Sequence, residues 1–169
     1  MSWFLIGLGI ISVCFGLVVF VGAPYLPTLT PQVTAALKLA ALKPGQHLLE
    51  LGCGDGKILV AAARQGIKVT GYELNPLLVL VCKIRTWRYR QLVTVRLADF
   101  WRIELPTADA VFVFLLPKYM TRLDTKLNQL SVKQNLSLRL ISFAFQIPDR
   151  RADKVQDGIF VYDYQPTQK

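Results

Sequence analysis

The chain has 169 residues, 53% of them apolar, 20 Lys and Arg against 11 Asp and Glu, and a formal net charge of +9. That length fits one domain with a real core, and three cysteines without paired or metal-ligand spacing exclude a disulfide framework or a zinc module. The positive charge excludes less, since nucleic acid, an anionic membrane surface or a solvated face all accommodate it.

In chain order, residues 3–23 carry no charge, about the length that crosses a hydrocarbon core, and are expected to form a transmembrane helix. Met1-Ser2 supplies no basic region for a secretory signal, and Pro24 fits poorly after a cleavage site. Basic residues follow the span at Lys38 and Lys43 and none precede it, which orients the remainder of a single-pass protein towards the cytoplasm, or the matrix if mitochondrial. Residues 24–46 read as a proline-rich linker from Pro24 to Pro31, then a helix through Val33 to Leu42 with Thr30 as cap and Pro31 in its first turn. Lys43-Pro44-Gly45-Gln46 closes it.

From 47 to 169 strand and helix patterns alternate. Strand 47–51 precedes helix 56–65, and strand 67–72 precedes helix 76–89, capped by Asn75 with Pro76 at its first position. Strand 92–97 follows, then 109–116, apolar enough to be buried on both faces. Pro117 ends it before a helix over 119–130. Strand 136–145, a loop at 148–151 and a strand pair around Gly158 complete the chain. This order predicts an α/β, Rossmann-like doubly wound sheet, mostly parallel, with its ligand beyond the carboxyl ends of the strands.

The chemistry concentrates in Glu50-Leu51-Gly52-Cys53-Gly54-Asp55-Gly56-Lys57. Glycines allow positive φ and close approach of a ligand, and the helix beginning at Lys57 offers free N–H groups to an anionic ligand group. The spacing is G-x-G-x-G, whereas the dinucleotide fingerprint is G-x-G-x-x-G. Glu50 before the first glycine suits a cofactor with a cationic end, such as the amino group of a methionine moiety. Glu73 ends the next strand, placed for ribose hydroxyls, and Asp99 follows the third. Cys53 reads as a small residue in a tight turn and His47, the lone histidine, as structural. Lys83, Arg85, Arg88 and Arg90, interleaved with Trp87 and Tyr89, suit a solvated face, acidic headgroups or stacked RNA bases.

Several stretches together resemble class I S-adenosylmethionine (SAM)-dependent methyltransferases, and within them the membrane-tethered lysine methyltransferases of the mitochondrial ATP synthase c-subunit and adenine nucleotide translocase, with their bacterial relatives. The resemblance rests on the apolar span, Pro24-Tyr25-Leu26-Pro27-Thr28, the glycine turn, Gly71-Tyr72-Glu73-Leu74-Asn75-Pro76, Asp99-Phe100-Trp101, Leu115-Leu116-Pro117-Lys118 and Ile141-Ser142-Phe143-Ala144-Phe145. It implies SAM as cofactor. Glu50 with Gly52, Gly54 and Gly56 would hold its methionine part, Glu73 the ribose, and Asp99 with Phe100 the adenine. Thr28 would close over the amino-acid end.

Tyr25, Trp101, Pro117, Lys118 and Tyr119 are the expected acceptor-pocket residues, with no strong general base among them. The implied partners are a membrane and a protein substrate in or at it. Nucleic acid is disfavoured because Leu116-Pro117-Lys118 replaces the Asn/Asp-Pro-Pro-Tyr motif of adenine methylation. The alternatives are an RNA or small-molecule methyltransferase and a non-catalytic SAM-binding protein. Oligomeric state is left open by these motifs. The short stretch after Phe145 implies that the usual helix before the last strand pair is trimmed.

Overall fold

The computed structural model describes residues 30–166 together with Leu5 and Gly9. Seven strands form one sheet: β1 (His47–Leu51), β2 (Lys68–Glu73), β3 (Val93–Leu97), β4 (Ala110–Val113), β5 (Leu138–Phe143), β6 (Lys154–Gln156) and β7 (Ile159–Tyr164). Their spatial order is β3-β2-β1-β4-β5-β7-β6. The first five strands are parallel, while β7 runs antiparallel to β5 and to β6. Strand order reverses between β1 and β4, and that switch point opens a crevice beyond their carboxyl ends.

Alternation along each strand splits the core in two. Leu48, Val69, Val93, Ala110 and Ile141 face one layer, packed with α1 (Thr30–Ala40), α2 (Lys57–Arg64) and Cys82 of α3 (Pro76–Thr86). Leu49, Val111, Val113 and Leu140 face the other, packed with α4 (Met120–Gln134) through Met120, Leu123, Leu127 and Leu130. Those four α4 residues recur at helical spacing, so one stripe is apolar and the remainder polar. Arg150 and the Tyr164 hydroxyl both donate to Asp124 Oδ1, fixing α4 against β7 and the segment after β5.

Three elements are clearly shorter than their sequence patterns, among them the strand expected over 136–145, which is Leu138–Phe143. The apolar run 109–116 yields only Ala110–Val113 as strand, because β1 ends level with Val113 at Leu51 and the pairing with β5 also stops there, at Ser142. Beyond them no ladder partner remains for Phe114 to Leu116. Helix α3 stops at Thr86 and tightens into a 3-10 turn at Trp87–Tyr89. There Thr86 Oγ1 donates to the Cys82 carbonyl at 2.8 Å, a local bond that competes with the helical ladder. No helix lies between β5 and β6, in keeping with the trimmed element.

The single-pass membrane placement expected from the sequence is corrected. Among the described residues no helix is long and apolar enough to cross a membrane. The segment 3–23 on which that expectation rested lies outside the described residues, apart from Leu5 and Gly9. The fold supported is the seven-stranded α/β sheet.

Candidate active site

The glycine turn takes its shape from β2. Gly52 and Cys53 N–H both donate to the Tyr72 carbonyl at 2.9 Å, and Gly52, Gly54 and Gly56 all have positive φ. At Gly56 glycine is demanded twice: φ is +77°, and an added Cβ would lie 2.5 Å from Cys82 Sγ. Helix α2 therefore starts against α3 at a distance only glycine permits. Asp55 in the same turn forms an ion pair with Arg85 of α3, whose guanidinium also donates to the Asp55 carbonyl at 3.0 Å. Cys53 is more than a small turn residue, since its sulfur sits buried 3.9 Å from that of Cys82. Their contact, then burial, pushes the Cys53 thiol well up.

Glu73 organises the neighbouring loop. Its Oε2 accepts from Gly54 N–H at 2.9 Å, and its Oε1 from Leu74 and Asn75 N–H at 2.8 and 2.9 Å. The carboxylate thus links two loops at the switch-point side of β2, with acceptor capacity left on Oε2. Asn75 caps α3 by accepting from Leu77 N–H at 2.9 Å, and its buried Nδ2 has no partner.

Glu50 is paired in register with Gly71 of β2 and Phe112 of β4 and is 5% exposed. Its Oε2 is buried without a hydrogen-bond partner. Burial, then the proximity of Cys82, Asp55 and Glu73, holds its carboxyl well above the usual carboxylate range. A buried acid oxygen with no donor among the described residues is a costly arrangement. A ligand ammonium reaching Oε2 would supply the missing donor, and an added Cβ at Gly52 would meet nothing within 4 Å. Orphaned acid and open glycine together fit the amino-acid end of SAM.

Asp99 accepts from Trp101 N–H at 2.9 Å and pairs with Arg102 at 3.2 Å, while Phe100 is buried behind it. Trp101 contacts both Phe100 (ring centroids 4.7 Å) and Tyr119 (6.0 Å). Cations cover these rings, with Arg122 4.4 Å from the Trp101 centroid and Lys118 4.9 Å from that of Tyr119. Pro117 opens the 3-10 turn that carries Lys118 and Tyr119. Trp101, Lys118 and Tyr119 therefore form one cluster, whereas Tyr25 and Thr28 lie outside the described residues. His47 bridges the Thr107 carbonyl and Thr70 hydroxyl at 2.8 and 2.9 Å, a structural position at the opposite end of β1.

Sequence reasoning gave no site role to Phe114, Phe143 and Phe145. The Phe114 ring lies 4.9 Å from that of Phe143 and 6.2 Å from that of Phe145. All three are half-buried at the carboxyl ends of β4 and β5, close to the switch point. The signal that finds them is the adjacency of those two strand ends, which the order β1-β4-β5 supplies.

A parallel sheet with an antiparallel seventh strand, a G-x-G-x-G turn and carboxylates after successive strands defines a class I methyltransferase domain, which takes SAM as methyl donor. Residues 50–154 match the family described as the ANTKMT methyltransferase domain, and the chain belongs to it. The lysine N-methyltransferase of the ATP synthase c-subunit from Xenopus laevis is 32% identical over 144 residues, 83% of this chain and 63% of that protein. The adenine nucleotide translocase lysine N-methyltransferase of Mus musculus is 32% identical over 147 residues, covering 83% and 62%. The chain thus spans less than two thirds of these relatives' length. Among solved structures, an RNA methyltransferase from Salinibacter ruber in complex with S-adenosyl-L-homocysteine (SAH) superposes with a TM-score of 0.71. It is 27% identical and covers 85% of this chain and 96% of its own.

Proposed function

We propose that this domain transfers the methyl group of SAM to the ε-amine of a lysine on a membrane-associated protein. The observation that carries this reading is similarity over 83% of the chain to two proteins named as lysine N-methyltransferases. In it, Glu50 receives the cofactor's amino group and the turn of Gly52, Gly54 and Gly56 lies along its amino-acid end. Glu73 accepts from the ribose hydroxyls, and Asp99 with Phe100 faces the adenine. Trp101, Pro117, Lys118 and Tyr119 line the approach of the acceptor.

When bound, SAM supplies a sulfonium methyl as electrophile. The lysine nitrogen must arrive neutral and in line; a new N–C bond replaces the S–C bond, and the amine proton passes to water. The residues here favour neutrality without a general base. Half-buried aromatic side chains at Trp101, Tyr119 and Phe114 disfavour an ammonium by desolvation. Lys118 and Arg122, both held over that cluster, disfavour it by like charge.

A second reading, methyl transfer to RNA, is favoured by the Salinibacter ruber structure. Both are tested by incubating the full chain with methyl-labelled SAM, a membrane fraction and total RNA. The expected result is label in a membrane-protein band that releases methyl-lysine on hydrolysis and disappears with Glu50→Gln. Label confined to RNA overturns the lysine assignment.

A further inference from the structure

Helix α3 carries an outward face that neither the cofactor crevice nor the core uses. Leu80, Ile84 and Trp87 follow one another at i, i+4 and i+7 and are 57, 69 and 66% exposed. At 3.6 residues per turn they make a single stripe, opposite the buried Leu78 and Cys82. The same helical spacing sets Lys83 along one side of that stripe, Arg88 follows Trp87 in the 3-10 turn, and the Arg90 guanidinium lies 5.1 Å from the Trp87 ring centroid. From Leu74 to Ala98 the sequence has no acidic residue.

Beside the stripe opens a cleft of about 710 Å³ lined by Val60, Arg64, Arg85, Arg88 and Tyr89. Arg64 Nε donates to the Tyr89 hydroxyl at 3.2 Å and Arg85 is engaged by Asp55. Arg88 has no hydrogen-bond or ion-pair partner among the described residues.

Two macromolecular surfaces present phosphates to such arginines, nucleic acid and an anionic bilayer, and the aliphatic residues decide between them. Bases stack on aromatic rings and guanidinium planes and gain little from Leu80 and Ile84. The boundary between headgroups and acyl chains accepts aliphatic branches and an indole alike, with cations at the phosphate level. We propose that α3 and the Trp87–Tyr89 turn form a peripheral docking surface for a bilayer containing anionic phospholipid. Leu80, Ile84 and Trp87 enter the boundary, Lys83, Arg88 and Arg90 meet headgroup phosphates, and the Arg64–Arg88 cleft takes one of them.

Eleven residues of α3 amount to about 16 Å of helix, roughly half a hydrocarbon core, so the contact lies along the surface and crosses nothing. It is independent of which acceptor is methylated. Its consequence for the enzyme is positional: α3 begins three residues after Glu73, so a docked α3 holds the crevice at a bounded distance from the surface.

The test is binding of the full chain to phosphatidylcholine vesicles with and without phosphatidylglycerol. Comparing variants of the same full chain holds every other apolar segment constant. Ile84→Ser with Trp87→Ser is expected to weaken binding by at least about tenfold, and Arg88→Gln by about fivefold on the phosphatidylglycerol vesicles alone. SAH affinity should stay within twofold in each, showing that the fold is kept. If the double variant does not fold, Arg88→Gln decides by itself. Unchanged vesicle binding overturns the proposal. So does loss of single-stranded RNA binding in Arg88→Gln with vesicle binding intact, which would make this a nucleic-acid face.

Discussion

Glu50 is buried in strand β1 with one oxygen unpartnered, and the same burial that suits it to a cationic ligand penalises it when the ligand is absent. Its folded pKa is raised well above the ordinary 4.5, so the neutral acid is the form the ligand-free fold prefers. The contribution to ligand-free stability is therefore complete below about pH 4.5 and is lost as pH rises through the raised value. Glu50→Gln should remove that slope and stabilise the ligand-free protein at neutral pH by about 1–3 kcal/mol, measured by urea denaturation across pH. The variant should also bind SAH about ten- to a hundredfold more weakly, through loss of a charge-assisted hydrogen bond. A ligand-free stability that falls in Glu50→Gln would contradict this account. The acids were legible in the sequence because each stands at a strand end, a position that alternation of strands and helices alone predicts. What Glu73 does there was only half legible. Its three amide bonds, one from Gly54 nineteen residues away, depend on how the glycine turn folds back over β2.

At the scale of elements, the glycine turn and α3 are coupled through Cys82, which packs against both Gly56 and Cys53, and through the Asp55–Arg85 ion pair. Gly56→Ala meets both a positive φ and Cys82 Sγ at 2.5 Å, but with the sulfur gone the next atoms stand at 3.5 and 3.6 Å. Gly56→Ala should destabilise the protein by about 1–3 kcal/mol, and by about 1 kcal/mol less in a Cys82→Ala background. Equal penalties in the two backgrounds, read from urea midpoints, would assign the whole cost to the backbone. Existence and order of the elements were legible, because β4 lies in a near-continuous apolar run and Asn75-Pro76 and Pro117 are strong punctuation. Their ends were less so. The apolar pattern runs on to Leu116 while ladder partners stop at Val113, and the Thr86 side-chain bond that closes α3 has no periodicity to betray it. The Phe114, Phe143 and Phe145 cluster was hidden for a related reason, since nothing in the spacing of residues 114 and 143 says that their strands are neighbours.

For the whole molecule, the decisive property is which adenosine cofactor the crevice accepts, because many proteins share a doubly wound sheet and the sheet alone does not choose. Three features of this chain point away from a dinucleotide. The turn has G-x-G-x-G spacing, and Gly56 is packed against Cys82 rather than left free for a pyrophosphate. In addition, the buried, unpartnered Glu50 carboxyl beside the turn ionises favourably only against a cation, which suits an ammonium and not a phosphate. A ligand that binds only the native state stabilises it by RT ln(1 + [L]/Kd), about 2.7 kcal/mol at a hundredfold excess over Kd. For a chain of this size that corresponds to a rise in Tm of roughly 5–11 °C. SAH should produce such a shift and NAD at equal concentration none, by scanning fluorimetry at neutral pH. The SAH shift should shrink below the pH at which Glu50 becomes protonated, since the neutral acid no longer attracts the ligand's amino group. A shift with NAD and none with SAH would reverse the choice of cofactor, while equal shifts would mean that the crevice reads adenosine alone and that Glu50 takes no part in selection.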